Sequence, residues 1–123
     1  MEKGIKYTTE LFVTAELSAE KMGSGDMPVF ATPAMVAMME NAAMKCVADD
    51  LADDQTTVGI MMNTTHVKAS PIGVKVYATA ELTEVDGRKL TFKITAYQGQ
   101  DIIGEATHER FIVSRDKFLS KLN

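Results

Sequence analysis

Residues 28–50 read PVFATPAMVAMMENAAMKCVADD. After Pro33 the run contains neither glycine nor proline up to Leu51. Ala34, Met35, Ala37, Met38, Met39, Ala42, Ala43, Cys46 and Val47 spread apolar side chains round most of a helical circumference. A helix apolar on nearly all sides is a buried one, and its alanines would let it lie close against a sheet. Thr32 followed by Pro33 is a start signal, because threonine can cap a free helix N–H and proline suits the first turn. Asp49, Asp50, Asp53 and Asp54 mark the exit into solvent and oppose the helix dipole. One residue is out of place: Glu40 stands at the centre of this segment, where a carboxylate is costly to bury unless it is paired or hydrogen-bonded.

Outward from the helix the pattern changes to alternation. Lys6–Val13 reads as a first strand and Ser18–Met22 as one helical turn, with GSGDMP (residues 23–28) as the link into the helix. Strands are expected over Thr56–Lys68 (bent near Gly59), Val74–Thr83, Lys89–Tyr97 and Ile102–Val113, with a short amphipathic tail over Asp116–Leu122. Ser70-Pro71, Asp86-Gly87 and Gln98–Asp101 supply turns. Four consecutive strands joined by tight turns predict an antiparallel meander. A single long apolar helix needs a sheet to bury it. The fold class is therefore α+β, a curved antiparallel sheet wrapped around one long central helix, which is the hotdog architecture. A sheet of this size keeps an edge strand and a face to cover, so a homodimer is expected.

Composition narrows the function. The 123 residues fit a single domain, 1–123. Net charge is −4 with acids and bases interleaved and no basic stripe, which argues against a nucleic-acid partner. The apolar run Ala31–Met39 is too short for a membrane span, and no signal peptide precedes Glu2 and Lys3. The single cysteine, Cys46, cannot form an intrachain disulfide. These features point to the cytoplasm. Most of the nine methionines fall between Met22 and Met62, and read first as core padding and second as the lining of an acyl pocket.

Three polar residues carry chemical potential. Glu40 lies eight residues after Thr32, which on a helix is ~12 Å along the axis and ~80° of net rotation, so the two cannot bond directly. Lys45 is poorly aligned to pair with Glu40. His66 ends the strand that follows the helix, and His108 is a second candidate within THER on the last strand. Composition does not choose between the two histidines.

The segments VFAT (Val29–Thr32), Glu40 within its helix, TTHVKASP (Thr64–Pro71) and GEATHER (Gly104–Arg110) resemble the fluoroacetyl-CoA thioesterase-like family of hotdog proteins. The resemblance runs from about Pro28 to Phe118. It places the family's catalytic Thr, Glu and His on Thr32, Glu40 and His66, and its glycine ahead of the histidine on Gly59. It implies hydrolysis of an acyl-CoA thioester, with no metal and no cofactor beyond the coenzyme A of the substrate. In that scheme His66 shuttles a proton, and Glu40 attacks the carbonyl or activates water. Thr32 orients Glu40 or the thioester, or attacks directly, and the amides at the helix start polarise the carbonyl. Gly59 admits the substrate to the backbone, and Arg110 meets a substrate phosphate or forms a structural ion pair. Members specialised for the fluorinated substrate carry a longer, aromatic-bearing link before VFAT. Here the link is short, without an aromatic residue between Phe12 and Phe30, so a general acyl-CoA is implied. An acyl-thioester hydratase or dehydratase and a non-catalytic acyl-CoA-binding protein are the competing functions.

Overall fold

The computed structural model describes residues 1–123. Its elements in chain order are β1 (Lys6–Phe12), α1 (Ala19–Met22), α2 (Thr32–Val47), β2 (Gln55–His66), β3 (Lys75–Asp86), β4 (Lys89–Gln98), β5 (Asp101–Ser114) and α3 (Arg115–Ser120). The strands form one antiparallel sheet in the order β1-β3-β4-β5-β2, and α2 packs chiefly on β3 and β1. This is the hotdog arrangement expected from the long helix and the alternating strands. No helix is long and apolar enough to cross a membrane.

The expected four-strand meander holds only for β3, β4 and β5. β2 pairs with β5 and not with β3, which lies at the far side of the sheet beside β1. The connection over residues 67–74 is too long for a tight hairpin. It passes the start of α2 instead: Val29 bridges Pro71, and the Phe30 N–H bonds the Ser70 carbonyl. The Ser-Pro signal marks the point where the chain is tied down as it crosses, not a reversal. β1 and β2 are left as the two edges.

The core lies between α2 and the concave face. From the helix it takes Ala34, Met35, Met38, Met39, Ala42, Ala43 and Val47. From the sheet come Val76, Ala78, Ala80 and Leu82 on β3, Leu90, Phe92, Ile94 and Ala96 on β4, and Ile103 and Ala106 on β5. Alanines on both surfaces let the helix sit close, and the methionines and Phe92 fill the remainder. Each large apolar side chain taken fully out of water contributes about 1.5–3 kcal/mol.

The helix is not buried on all sides, however. Thr32, Pro33, Ala37 and Met44 are exposed and Glu40 and Asn41 half-buried, so an open stripe runs along α2 beside β2. Its apolar residues misled the circumference argument because a single copy of the chain does not cover this side.

Gly104 shows how tightly the end of the sheet is packed. A Cβ there would lie 2.6 Å from the Thr65 carbonyl oxygen and 2.8 Å from the Cε and Sδ atoms of Met35. Met35 could swing away, but the Thr65 carbonyl belongs to the paired backbone of β2. Gly104→Ala should therefore cost about 1–3 kcal/mol, read as a lower midpoint of thermal unfolding. An unchanged midpoint would show that this strand end yields without strain.

Candidate active site

Thr32 is the first residue of α2. The N-cap is Ala31, and no side chain caps the helix. The expected role of Thr32 as cap is thus corrected: its hydroxyl is engaged by His66, with Oγ1 2.8 Å from Nδ1. Pro33 has no N–H, and the Met35 amide bonds the Ala31 carbonyl. The amides of Thr32 and Ala34 are left without a backbone acceptor at the helix start.

His66 closes β2, with its ring edge-on to Phe30 at 6.3 Å between centroids. Nε2 is buried and has no hydrogen-bond partner. Burial pushes the imidazole below its ordinary value, and the nearby Lys68 backbone partly opposes this. Thr32 and His66 line an open cavity of about 260 Å³ whose wall includes Ser24, Val29 and Lys68. The link 23–28 therefore contributes no aromatic ring to it.

Glu40 lies elsewhere on the helix. Its side chain is 41% exposed and faces an open cavity of about 440 Å³ shared with Ala37, Met44, Gly59 and Arg110. It is not a carboxylate sunk in an apolar interior. Its nearest opposite charge is Arg110, with Nη1 4.0 Å from Oε2, while Lys45 lines a different groove. A Cβ on Gly59 would come within 2.9 Å of Glu40 Oε2, 3.3 Å of His108 Cε1 and 3.5 Å of Arg110 Nη1. A side chain at this position would push the Glu40 carboxylate aside, and glycine leaves it where it stands.

Arg110 is 8% exposed, and its donors are largely committed. Nε donates to Thr57 Oγ1 at 2.8 Å and Nη2 to the Thr57 carbonyl at 2.9 Å. Nη1 lies 3.2 Å from His108 Nε2. Burial pulls the guanidinium down from its ordinary value, and the Glu40 charge partly restores it. His108 is fully buried, with Nδ1 2.7 Å from the Met61 carbonyl. Both its nitrogens are occupied, whereas His66 keeps one free, and this distinguishes the two histidines where composition could not.

The placement of His66 depends on a bulge. β5 turns Gly104, Ala106, His108 and Arg110 inward, and these pair with His66, Thr64, Met62 and Gly59. The register shifts between Gly59 and Met61. Thr57 and Gly59 face inward before the shift, and the even-numbered Met62, Thr64 and His66 after it. The "bend near Gly59" read from the sequence is this irregularity.

In a single chain the five residues singled out from the sequence thus form two groups. Thr32 and His66 stand at the start of α2. Glu40, Gly59 and Arg110 stand about two turns further along, joined by Thr57, which the sequence did not single out, and by His108, which it offered only as an alternative to His66. The alternation of T-H-E-R on β5 was the available signal, since it puts His108 and Arg110 on one face.

Residues 13–116 match the family model described as fluoroacetyl-CoA-specific thioesterase, FlK. A fluoroacetyl-CoA thioesterase from Streptantibioticus cattleyicolor is 40% identical over 94 residues, spanning 76% of this chain and 68% of that one. Among solved structures, fluoroacetyl-CoA thioesterase FlK superimposes with a TM-score of 0.93 at 34% identity, covering 99% of this chain and 95% of that one. A mutant of FlK in complex with acetyl-CoA gives 0.94 at 32% identity, covering 99% and 96%. A thioesterase superfamily member from Thermus thermophilus gives 0.91 at 25% identity, covering 98% and 90%. With residues 13–116, most of the chain, matched by the family model, and the hotdog sheet and helix in place, the chain belongs to the FlK family of hotdog thioesterases.

Proposed function

We propose that this protein hydrolyses an acyl-CoA thioester to the free acid and coenzyme A, with Thr32, Glu40 and His66 as its reacting groups. The observation that carries the proposal is the 2.8 Å contact between Thr32 and His66 beside a helix start with unclaimed amides. A hydroxyl, an imidazole with a free nitrogen and two N–H donors in one place suit the polarisation of a thioester carbonyl and the movement of a proton. Glu40 supplies the carboxylate that attacks the carbonyl or activates the water that does. Gly59 admits substrate to the backbone next to Glu40, and Arg110 holds positive charge there. The small wall contributed by the link 23–28 supports a general short-chain acyl group over a fluoroacetyl-selective site. The cytoplasm is the proposed compartment, and no further cofactor is invoked.

The reacting groups are divided between two copies of the chain. Glu40 stands ~12 Å along the helix from Thr32, beyond the reach of one thioester carbonyl. β2 is a sheet edge with Ile60 half exposed, and the stripe Ala37–Met44 lies open beside it. The other edge, β1, exposes the charged Lys6 and Glu10. A two-fold axis across β2 runs two such strands antiparallel and covers both stripes. It carries one copy's Glu40 toward the other's Thr32 and His66.

Release of free thiol from a panel of acyl-CoAs tests the chemistry. Wild type should turn over, and Glu40→Gln and His66→Ala should each lose about 100-fold or more in kcat while unfolding near the wild-type temperature. Wild-type turnover by Glu40→Gln would remove Glu40 from the reaction.

Co-expression of the same two variants tests the division of the site. The co-expressed population should regain up to about a quarter of wild-type activity, since about half the dimers are mixed and each of these carries one intact site out of two. No recovery in a verified mixed dimer would place all three groups on one chain.

The acid limb of kcat/KM follows from His66. The neutral ring is the competent base, and burial lowers its affinity for a proton. As pH falls, activity should hold through the ordinary histidine value of 6.5 and decline only below it. A limb centred at or above that value would contradict the role.

A further inference from the structure

His108 takes no part in the proposed chemistry, yet it is buried at the junction of everything that surrounds Glu40. Its Nδ1 lies 2.7 Å from the carbonyl of Met61, at the bulge of β2. A carbonyl only accepts, so Nδ1 carries the ring proton. In the neutral ring Nε2 is then the lone-pair nitrogen, and its neighbour at 3.2 Å is Arg110 Nη1, which only donates. The tautomer is thus set from both sides. The charged groups around the ring are Arg110 and Glu109 on its own strand and Glu40 from α2, and the Phe92 ring of β4 lies 6.2 Å away.

Arg110 in turn has three anchors. Thr57 holds Nε and Nη2 on the β2 side. His108 is the only partner of Nη1 within hydrogen-bond distance, and Nη1 is also the atom nearest Glu40, at 4.0 Å. Without an acceptor at Nε2, the end of the guanidinium that faces the carboxylate has no fixed position.

We propose that His108 is a positioning residue: it accepts an Arg110 N–H on Nε2, donates Nδ1–H to the bulged Met61 carbonyl, and so holds the guanidinium against Glu40 and the Gly59 gap. It touches no substrate. This role rests on that of Glu40 above.

Two amide substitutions separate the two ends of the ring. The oxygen of His108→Gln can reach the Nε2 position and accept from Arg110. The amide of His108→Asn can reach the Nδ1 position and donate to Met61 but falls short of Arg110. Relative to wild type on acetyl-CoA and a longer acyl-CoA, His108→Gln should keep kcat within about fivefold. His108→Asn should lose about tenfold or more, with KM little changed and the two unfolding midpoints similar. In an Arg110→Gln background His108→Asn should cost nothing further, because the two residues act as one unit. Independently of activity, ¹⁵N spectra of the wild-type ring should show the neutral Nδ1–H tautomer, with an Nε2 resonance that moves on Arg110→Gln.

Equal kcat for the Asn and Gln variants, losses that follow only their unfolding midpoints, or additivity with Arg110→Gln would overturn the positioning role. Glu40→Gln is assayed alongside. If it is inactive while the two His108 variants are alike, the inference fails and the proposed site stands. If it is as active as wild type, the reading of Glu40 has failed first.

Discussion

The bulge in β2 gives that strand one residue more than β5 opposes, and the consequence reaches both groups of the candidate site. Side chains of a strand alternate between faces, so one extra residue exchanges inward and outward positions for everything beyond it. Thr57 and Gly59 meet the helix from one side of the irregularity. Met62, Thr64 and His66 meet it from the other. Without the shift, His66 would lie on the outer face, and Thr32 would be left with a free hydroxyl at the helix start. The same irregularity presents the Met61 carbonyl to His108, which holds the ring in the tautomer that accepts from Arg110.

The electrostatics are arranged round Arg110 more than round Glu40. A guanidinium 8% exposed must have its donors met and its charge compensated. Thr57 and His108 meet the donors, and Glu40 is the nearest opposite charge. The carboxylate itself is open to a cavity and makes no direct hydrogen bond in a single chain. A charged group held near a buried cation, against a glycine that leaves room for a neighbour, is well placed to act on something that enters from outside. The stripe of α2 that carries it places Ala37 and Met44 beside Glu40 and Asn41 and is left open in one copy of the chain.

How legible was this in the residues? The helix and all five strands were visible within one or two residues at most ends, because apolar periodicity and turn chemistry are local. The connection from β2 to β3 was misread, since Ser70-Pro71 looks the same whether a chain reverses beside its neighbour or is pinned as it crosses. Thr32 was legible as a helix-start residue but not as a ligand of His66. Its hydroxyl can serve a helix amide or a distant imidazole, and only position decides. Glu40 stands out in the sequence for a burial it does not have: apolar residues on every side of a helix imply cover, but some of that apolar surface faces outward from one chain. THER was visible as a motif, but its two inward-facing residues, His108 and Arg110, could not be joined to Glu40 without the sheet.

The sequence by itself determined the central helix, the strands around it and the residue types capable of thioester chemistry, because these depend on near neighbours along the chain. It also carried the resemblance that the matched family model bears out over residues 13–116. The tertiary structure decided which histidine keeps a free nitrogen, which partner Arg110 takes, and that Thr32 with His66 stands apart from Glu40 with Gly59. Those outcomes turn on the register between β2 and β5 and on one bulge within it. Register is a relation between segments far apart in the chain, Gly59 with Arg110 at the bulge, and no local pattern specifies where one extra residue will be accommodated.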